Sequence, residues 1–174
     1  MKKALFLDRD GVINIEKDYL YKIEDFEFID GIFELCQYYM SQDYIIIVVT
    51  NQSGIARDYY TQKQFENLTS WMIGMFDERG VDIQHVYHCP HHPTITGTCT
   101  CRKPEPGMLL NASKEYDVDL ENSIIIGDKE SDIEAGLNAG LTCTYLFNNN
   151  STCKDSKATK IVSKLEEIYN ANTK

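Results

Sequence analysis

Short apolar runs alternate along this chain with stretches in which apolar residues recur every three or four positions. Lys3 to Leu7 is one such run, stopped by Asp8, and Ile45 to Val49 is a second, rich in β-branched residues. Ile83 to Tyr87, Ser123 to Ile126 and Thr142 to Phe147 repeat the pattern. Unbroken apolarity of this length predicts strands buried on both faces, which is the habit of parallel sheets.

The intervening stretches read as helices. Gly31 to Gln42 places Ile32, Leu35, Cys36 and Tyr39 on one face. Thr61 with Gln64 has the form of a capping box opening a helix to about Arg79, where Gly80 stops it. Pro106-Gly107 starts a helix through Tyr116, and Ser131 to Asn138 is another, ended near Gly140. Asn148 to Lys160 is polar and predicted as a loop, and Ile161 to Tyr169 as a closing amphipathic helix. Strands alternating with helices predict a doubly wound α/β architecture with a mainly parallel sheet, whose ligands bind beyond the carboxyl ends of the strands.

With 174 residues, the expectation is a single domain over residues 1–174. A hydrophobic fraction of 43% with 25% charged residues excludes a disordered chain. No stretch approaches the roughly 20 apolar residues of a membrane span, and the first apolar run is too short for an export signal. A cytoplasmic location is therefore expected, in which the six cysteines stay reduced, and the chain is taken as a monomer. The net charge of −10 repels phosphate backbones and anionic lipid, so neither nucleic acid nor membrane is an expected partner. An anionic ligand would have to be held locally, by a metal ion or convergent cations.

Such groups stand where the strands end. Asp8-Arg9-Asp10-Gly11 follows the first strand with two carboxylates two residues apart, enough to divide the roles of nucleophile and acid in phosphate ester cleavage. Alone, Asp-x-Asp reads as a solvated turn. The second strand ends in Thr50-Asn51-Gln52-Ser53-Gly54, whose hydroxyls and backbone N–H groups suit phosphoryl oxygens; alone it is a polar loop. Lys103 offers a charge, although an isolated lysine is more often solvated. Gly127-Asp128-Lys129 with Asp132 forms an acidic turn suited to a hard divalent cation.

In this order and at these strand ends, the four elements resemble the signature motifs of the haloacid dehalogenase (HAD) superfamily. DRDGVIN at 8–14, TNQSGIAR at 50–57, CRKPEPGM at 101–108 and GDKESDIEAG at 127–136 are similar to its heptose-bisphosphate phosphatase branch, with histidinol phosphatases as near relatives. The resemblance spans about Lys3 to Phe147 and implies a Rossmann-like fold. It further implies Asp8 as nucleophile, Asp10 as acid and then base, and Thr50 and Lys103 as stabilisers of the transferring group. Catalytic Mg2+ would sit on the Asp8 carboxylate, the Asp10 backbone carbonyl and the Asp128 carboxylate. No insertion is long enough for a large cap domain, so short loops are expected to set specificity.

Cys89-Pro90-His91 and Cys99-Thr100-Cys101 flank a loop of seven residues. Three thiolates and an imidazole complete a closed tetrahedral shell, which predicts a structural Zn2+ in loop 89–101 rather than a reactive metal. His92 competes as a ligand, and the family pattern favours His91. Cys36, Cys143 and Cys153 have no such company, and His85 and His88 read as packing residues. Because Arg102 and Lys103 follow Cys101 directly, the metal is expected to fix a positive clamp.

Arg57, Arg102, Lys103 and Lys129 supply more charge than one phosphate needs, so a bisphosphorylated sugar is the expected substrate, although each cation alone could be solvated surface. Tyr19, Asn51, Gln52 and Ser53 join Arg57, Arg102 and Lys129 as expected substrate contacts. Near them Asp18 stands where relatives often have glycine. The rival readings are a histidinol-phosphate phosphatase, a polynucleotide 3′-phosphatase, which the acidity opposes, and a non-catalytic binding module docking through the zinc loop.

Overall fold

The computed structural model describes residues 1–148 and 155–170. Six strands form one sheet: β1 Lys3–Leu7, β2 Tyr44–Asn51, β3 Ile83–Cys89, β4 Ile124–Gly127, β5 Cys143–Phe147 and β6 Lys160–Val162. All pairs are parallel, in the order β3-β2-β1-β4-β5-β6. The helices are α1 Ile32–Ser41, α2 Gln62–Asp77, α3 Pro93–Thr96, α4 Gly107–Tyr116, α5 Glu130–Ala139 and α6 Glu166–Tyr169.

Strand residues alternate between two cores because successive side chains leave opposite faces of a strand. Leu5, Leu7, Ile46, Val48, Ile124 and Ile126 pack with Leu35, Met72, Phe76 and Ile168 on one face. Ala4, Phe6, Ile47, Val49 and Ile125 pack with Met108, Leu109, Ala112 and Ala135 on the other. Both faces of the sheet are covered by helices, which accounts for the continuous apolar runs of its strands.

Strand β2 extends to Asn51 and β3 to Cys89, beyond their apolar runs, and the register pairs those two residues directly. The chain winds from β1 outward through β2 and β3, then returns to place β4 on the other side of β1. The carboxyl end of β1 is therefore a topological switch point, where flanking loops diverge and leave a crevice.

The C-terminal segment departs from expectation. In place of a helix over Ile161 to Tyr169, Lys160–Val162 adds an edge strand beside Tyr145–Phe147, and the helix is confined to Glu166–Tyr169. Val162, Leu165 and Ile168 are buried while Ile161 is exposed. Apolar residues spaced for one helical face serve here as a strand anchor followed by a single helical turn. Of the expected loop, residues 149–154, Cys153 among them, lie outside the described residues. Among the described residues no helix is long and apolar enough to cross a membrane.

Candidate active site

Asp8 leaves the end of β1 at the switch point, its backbone N–H bonded to Ile126 at 3.1 Å. Its Oδ1 accepts the Arg9 backbone N–H at 2.8 Å and lies 3.0 Å from Lys103 Nζ. The same ammonium reaches Asp132 Oδ1 at 2.6 Å and donates to the Val49 carbonyl at 2.7 Å. Lys103 is brought there by Asn51, whose side chain accepts from the Lys103 N–H at 3.0 Å and donates to its carbonyl at 3.2 Å. Burial alone would lower the lysine's proton affinity, but the Asp132 and Asp8 carboxylates more than offset it and hold the ammonium above the ordinary lysine value.

Asp8 and Asp132 share this cation, and Asp128 stands beside them. Ligand oxygens of Asp8, Asp128 and Asp132 lie within 4.8 Å of one another. Burial pushes Asp8 well above the ordinary carboxylate range, Lys103 opposes this, and repulsion from Asp132, Asp128 and Asp10 adds to it. Burial and the Asp132 charge push Asp128 up to about 6. Asp128 Oδ1 is buried with no hydrogen-bond partner. An orphaned oxygen in a site with excess negative charge fits a divalent cation held through oxygen. Gly11, at φ +88°, makes room for it: a Cβ there would stand 2.2 Å from Asp128 Oδ2.

Asp10 points elsewhere from Asp8. Arg9, almost fully buried, grips it through Nη2 at 2.9 and 3.1 Å and Nε at 3.3 Å. Asn14 Nδ2 donates to Oδ1 at 3.1 Å and Gln52 Nε2 to Oδ2 at 2.9 Å. The carboxylate is thus fixed at the mouth of the site and still partly exposed. Arg9, Asn14 and Asp132 lie within or beside the recognised motifs, but their holding roles were not legible from spacing.

A cleft of about 620 Å³ opens over these groups, lined among others by Asp8, Asp10, Tyr19, Asn51, Gln52, Ser53, Arg102, Lys103 and Lys129. Thr50 is fully buried below it, and its Oγ1 accepts from Gln52 Nε2 at 2.9 Å, which leaves the hydroxyl proton free to donate. Arg57 stands outside the lining, with Nη2 2.8 Å from His92 Nε2 and its guanidinium 5.8 Å from the Tyr19 ring centroid. Lys129 pairs with Glu16 at 3.2 Å across the mouth.

Beside the cleft, the Cys89, Cys99 and Cys101 sulfurs lie 3.0–3.6 Å from one another, and His91 Nδ1 lies 3.6 Å from Cys89 and 3.3 Å from Cys101. Tetrahedral zinc with bonds of about 2.3 Å would separate sulfurs by about 3.8 Å, so four soft ligands already face one point. Burial disfavours the Cys99 thiolate, but the Arg102 backbone N–H and the neighbouring thiols bring it down to about 7. The donor set fits zinc. His92 turns away, engaged by Thr94 and Arg57. Arg102 Nη1 donates to the His91 carbonyl at 3.3 Å, tying the loop to the cleft. His88 packs on Phe65 and His85 on Tyr87.

A parallel sheet with carboxylates at its switch point and a buried lysine delivered from a distant loop is the organisation of HAD-superfamily phosphatases, and comparison with known proteins agrees. A HAD-hydrolase-like family model matches residues 100–168. D-glycero-alpha-D-manno-heptose-1,7-bisphosphate 7-phosphatase of Campylobacter jejuni is 51% identical over 97% of this chain and 94% of its own. The beta-named counterpart of Pasteurella multocida is 48% identical over 84% of this chain and 82% of its own. The crystal structure of D,D-heptose 1,7-bisphosphate phosphatase from B. bronchiseptica, complexed with magnesium and phosphate, superposes with a TM-score of 0.85 at 27% identity, covering 98% of this chain and 97% of that one. The chain belongs to the same family as these heptose-bisphosphate phosphatases, within the HAD superfamily, and is a phosphoric monoester hydrolase.

Proposed function

We propose that the chain hydrolyses the 7-phosphate of D-glycero-D-manno-heptose 1,7-bisphosphate through an aspartyl-phosphate on Asp8, as a step toward nucleotide-activated heptose. The observation that carries the chemistry is the buried Lys103 ammonium between Asp8 and Asp132 beneath an acidic cleft. The substrate rests on the activity of the relatives and on the cations around the cleft.

Asp8 attacks phosphorus, the bond from phosphorus to the sugar oxygen breaks, and Asp10 gives that oxygen its proton. Asp10, now a carboxylate, takes a proton from water, whose oxygen attacks phosphorus and frees Asp8. Lys103 and the Thr50 hydroxyl balance charge on the phosphoryl oxygens. Asp8, Asp128 and the Asp10 backbone carbonyl would hold Mg2+, which when bound screens the anionic nucleophile from the anionic substrate. Cys89, His91, Cys99 and Cys101 would hold Zn2+, placing Arg102 where, with Lys129, it meets the second phosphate.

Phosphate release with magnesium from both heptose bisphosphate anomers, fructose bisphosphate and histidinol phosphate tests this reading. A preference for one heptose anomer is expected. Preference for histidinol phosphate, which has one phosphate and a cationic amine, would refute the substrate assignment, and an inert protein would favour a binding module.

A further inference from the structure

We propose that Tyr60 is a positioning residue for Asp10, acting through the side-chain amide of Gln52. The inference rests on the reading of Asp10 as acid and base. The Tyr60 hydroxyl donates to Gln52 Oε1. With that end of the amide engaged, Nε2 faces the other way and donates to Asp10 Oδ2 and to Thr50 Oγ1, both at 2.9 Å. The two ends of a glutamine amide are nearly equal in size, so their partners decide which end points where. A reversed amide would set an oxygen against the Asp10 carboxylate. One phenol proton thus orients the group that connects the leaving-group acid with the phosphoryl-binding hydroxyl.

The surroundings are built around this phenol. Tyr60 and Gln52 are both buried. Tyr60 immediately precedes Thr61, the N-cap of α2, where a capping box with Gln64 fixes how the chain enters the helix. Its ring stacks on Tyr21 at 5.5 Å and lies so close to Gly54 that a Cβ there would stand 2.2 Å from Cε1. The glycine of the Thr50–Gly54 turn is therefore needed for the ring to reach Gln52. No other described group bonds the hydroxyl, so although Tyr60 also lines the cleft, the proton that it donates acts on Asp10 through Gln52.

Tyr60→Phe keeps the ring and its packing and removes only the donor. An acid held in place matters for an alkoxide leaving group and hardly at all for p-nitrophenolate, which departs without a proton. In single-turnover measurements Tyr60→Phe is expected to slow sugar-phosphate cleavage about tenfold with KM nearly unchanged, while first-turnover p-nitrophenol release changes less than about twofold. Asp10→Asn should show the same dependence on leaving group more strongly, and Gln52→Met should resemble Tyr60→Phe. A purely structural role for Tyr60 would slow both substrates alike. Equal losses, or none, in Tyr60→Phe while Asp10→Asn discriminates would overturn the inference and spare the role of Asp10. Failure of Asp10→Asn to discriminate would overturn both.

Discussion

Asp132 Oδ1 stands 2.6 Å from Lys103 Nζ, with both side chains only 2% exposed. The lysine arrives from the loop ahead of α4 and the aspartate from the first turn of α5, so folding alone brings them together. Asp132 also accepts the Lys129 backbone N–H at 3.0 Å, which anchors it to the helix it starts. The pair holds the ammonium in place against Asp8.

Removing the cation strands the Asp8 and Asp132 carboxylates. Lys103→Met is expected to abolish phosphate release and to destabilise the metal-free protein by about 3 kcal/mol near neutral pH, the scale of a broken buried ion pair. Because burial and neighbouring carboxylates raise Asp8, the destabilisation should shrink in acid as Asp8 takes up a proton. Asp132→Asn keeps a carbonyl acceptor for Lys103 and should lower kcat about tenfold. Urea unfolding at several pH values, with a phosphate-release assay, checks each.

The two aspartates of the first motif should separate by their roles. Asp8→Asn is expected to be inert. Asp10→Asn should be slowed by a factor of about 10² to 10⁴, the usual range for general acid–base catalysis. Detection of a phosphorylated protein in acid-quenched wild type and its absence in Asp8→Asn would support the covalent step. Unchanged phosphate release in either variant would refute its assignment.

Stability and metal affinity should move oppositely with pH. Burial and carboxylate repulsion raise Asp8 and Asp128 above their unfolded values, Asp128 to about 6. Their contribution to stability is present below the ordinary carboxylate value and is lost as pH rises through the native values. Magnesium-free protein should therefore lose stability between about pH 4 and about pH 7 on this account, while magnesium affinity, which needs the ionised carboxylates, rises over the same window. Thermal melts with and without magnesium at both ends, with calorimetric titration, measure both trends. A magnesium affinity that is flat across the window would count against this carboxylate set.

Loss of the second metal should act on binding. Cys99→Ser is expected to reduce bound zinc and to raise KM for the bisphosphate more than it lowers kcat, because Arg102 follows Cys101 and is tied to the His91 carbonyl. Metal content measured beside steady-state kinetics tests this. Full activity in a zinc-free, magnesium-replete sample would exclude a positioning role.

The apolar runs of Lys3–Leu7 and Ile45–Val49 and the helical spacing of Leu35, Cys36 and Tyr39 determined by themselves that the chain builds a two-faced parallel sheet, since strand and helix periods are local properties of a sequence. Asp8, Asp128 and the Cys-x-His and Cys-x-Cys pairs were legible for a similar reason, being residue types at fixed short spacings beside strand ends or within one loop. Strand β6 was not, because three residues are too few to display a period and Val162, Leu165 and Ile168 also fit a helix. Only the tertiary structure decided that Lys103 meets Asp132, that Arg9 and Gln52 hold Asp10, that Thr50 lies beneath the cleft, and that Arg57 turns to His92. Apart from Arg9 and Asp10, which are neighbours in the chain, these residues come from different elements, and their distances follow from how helices and loops pack on the sheet, which local spacing does not encode.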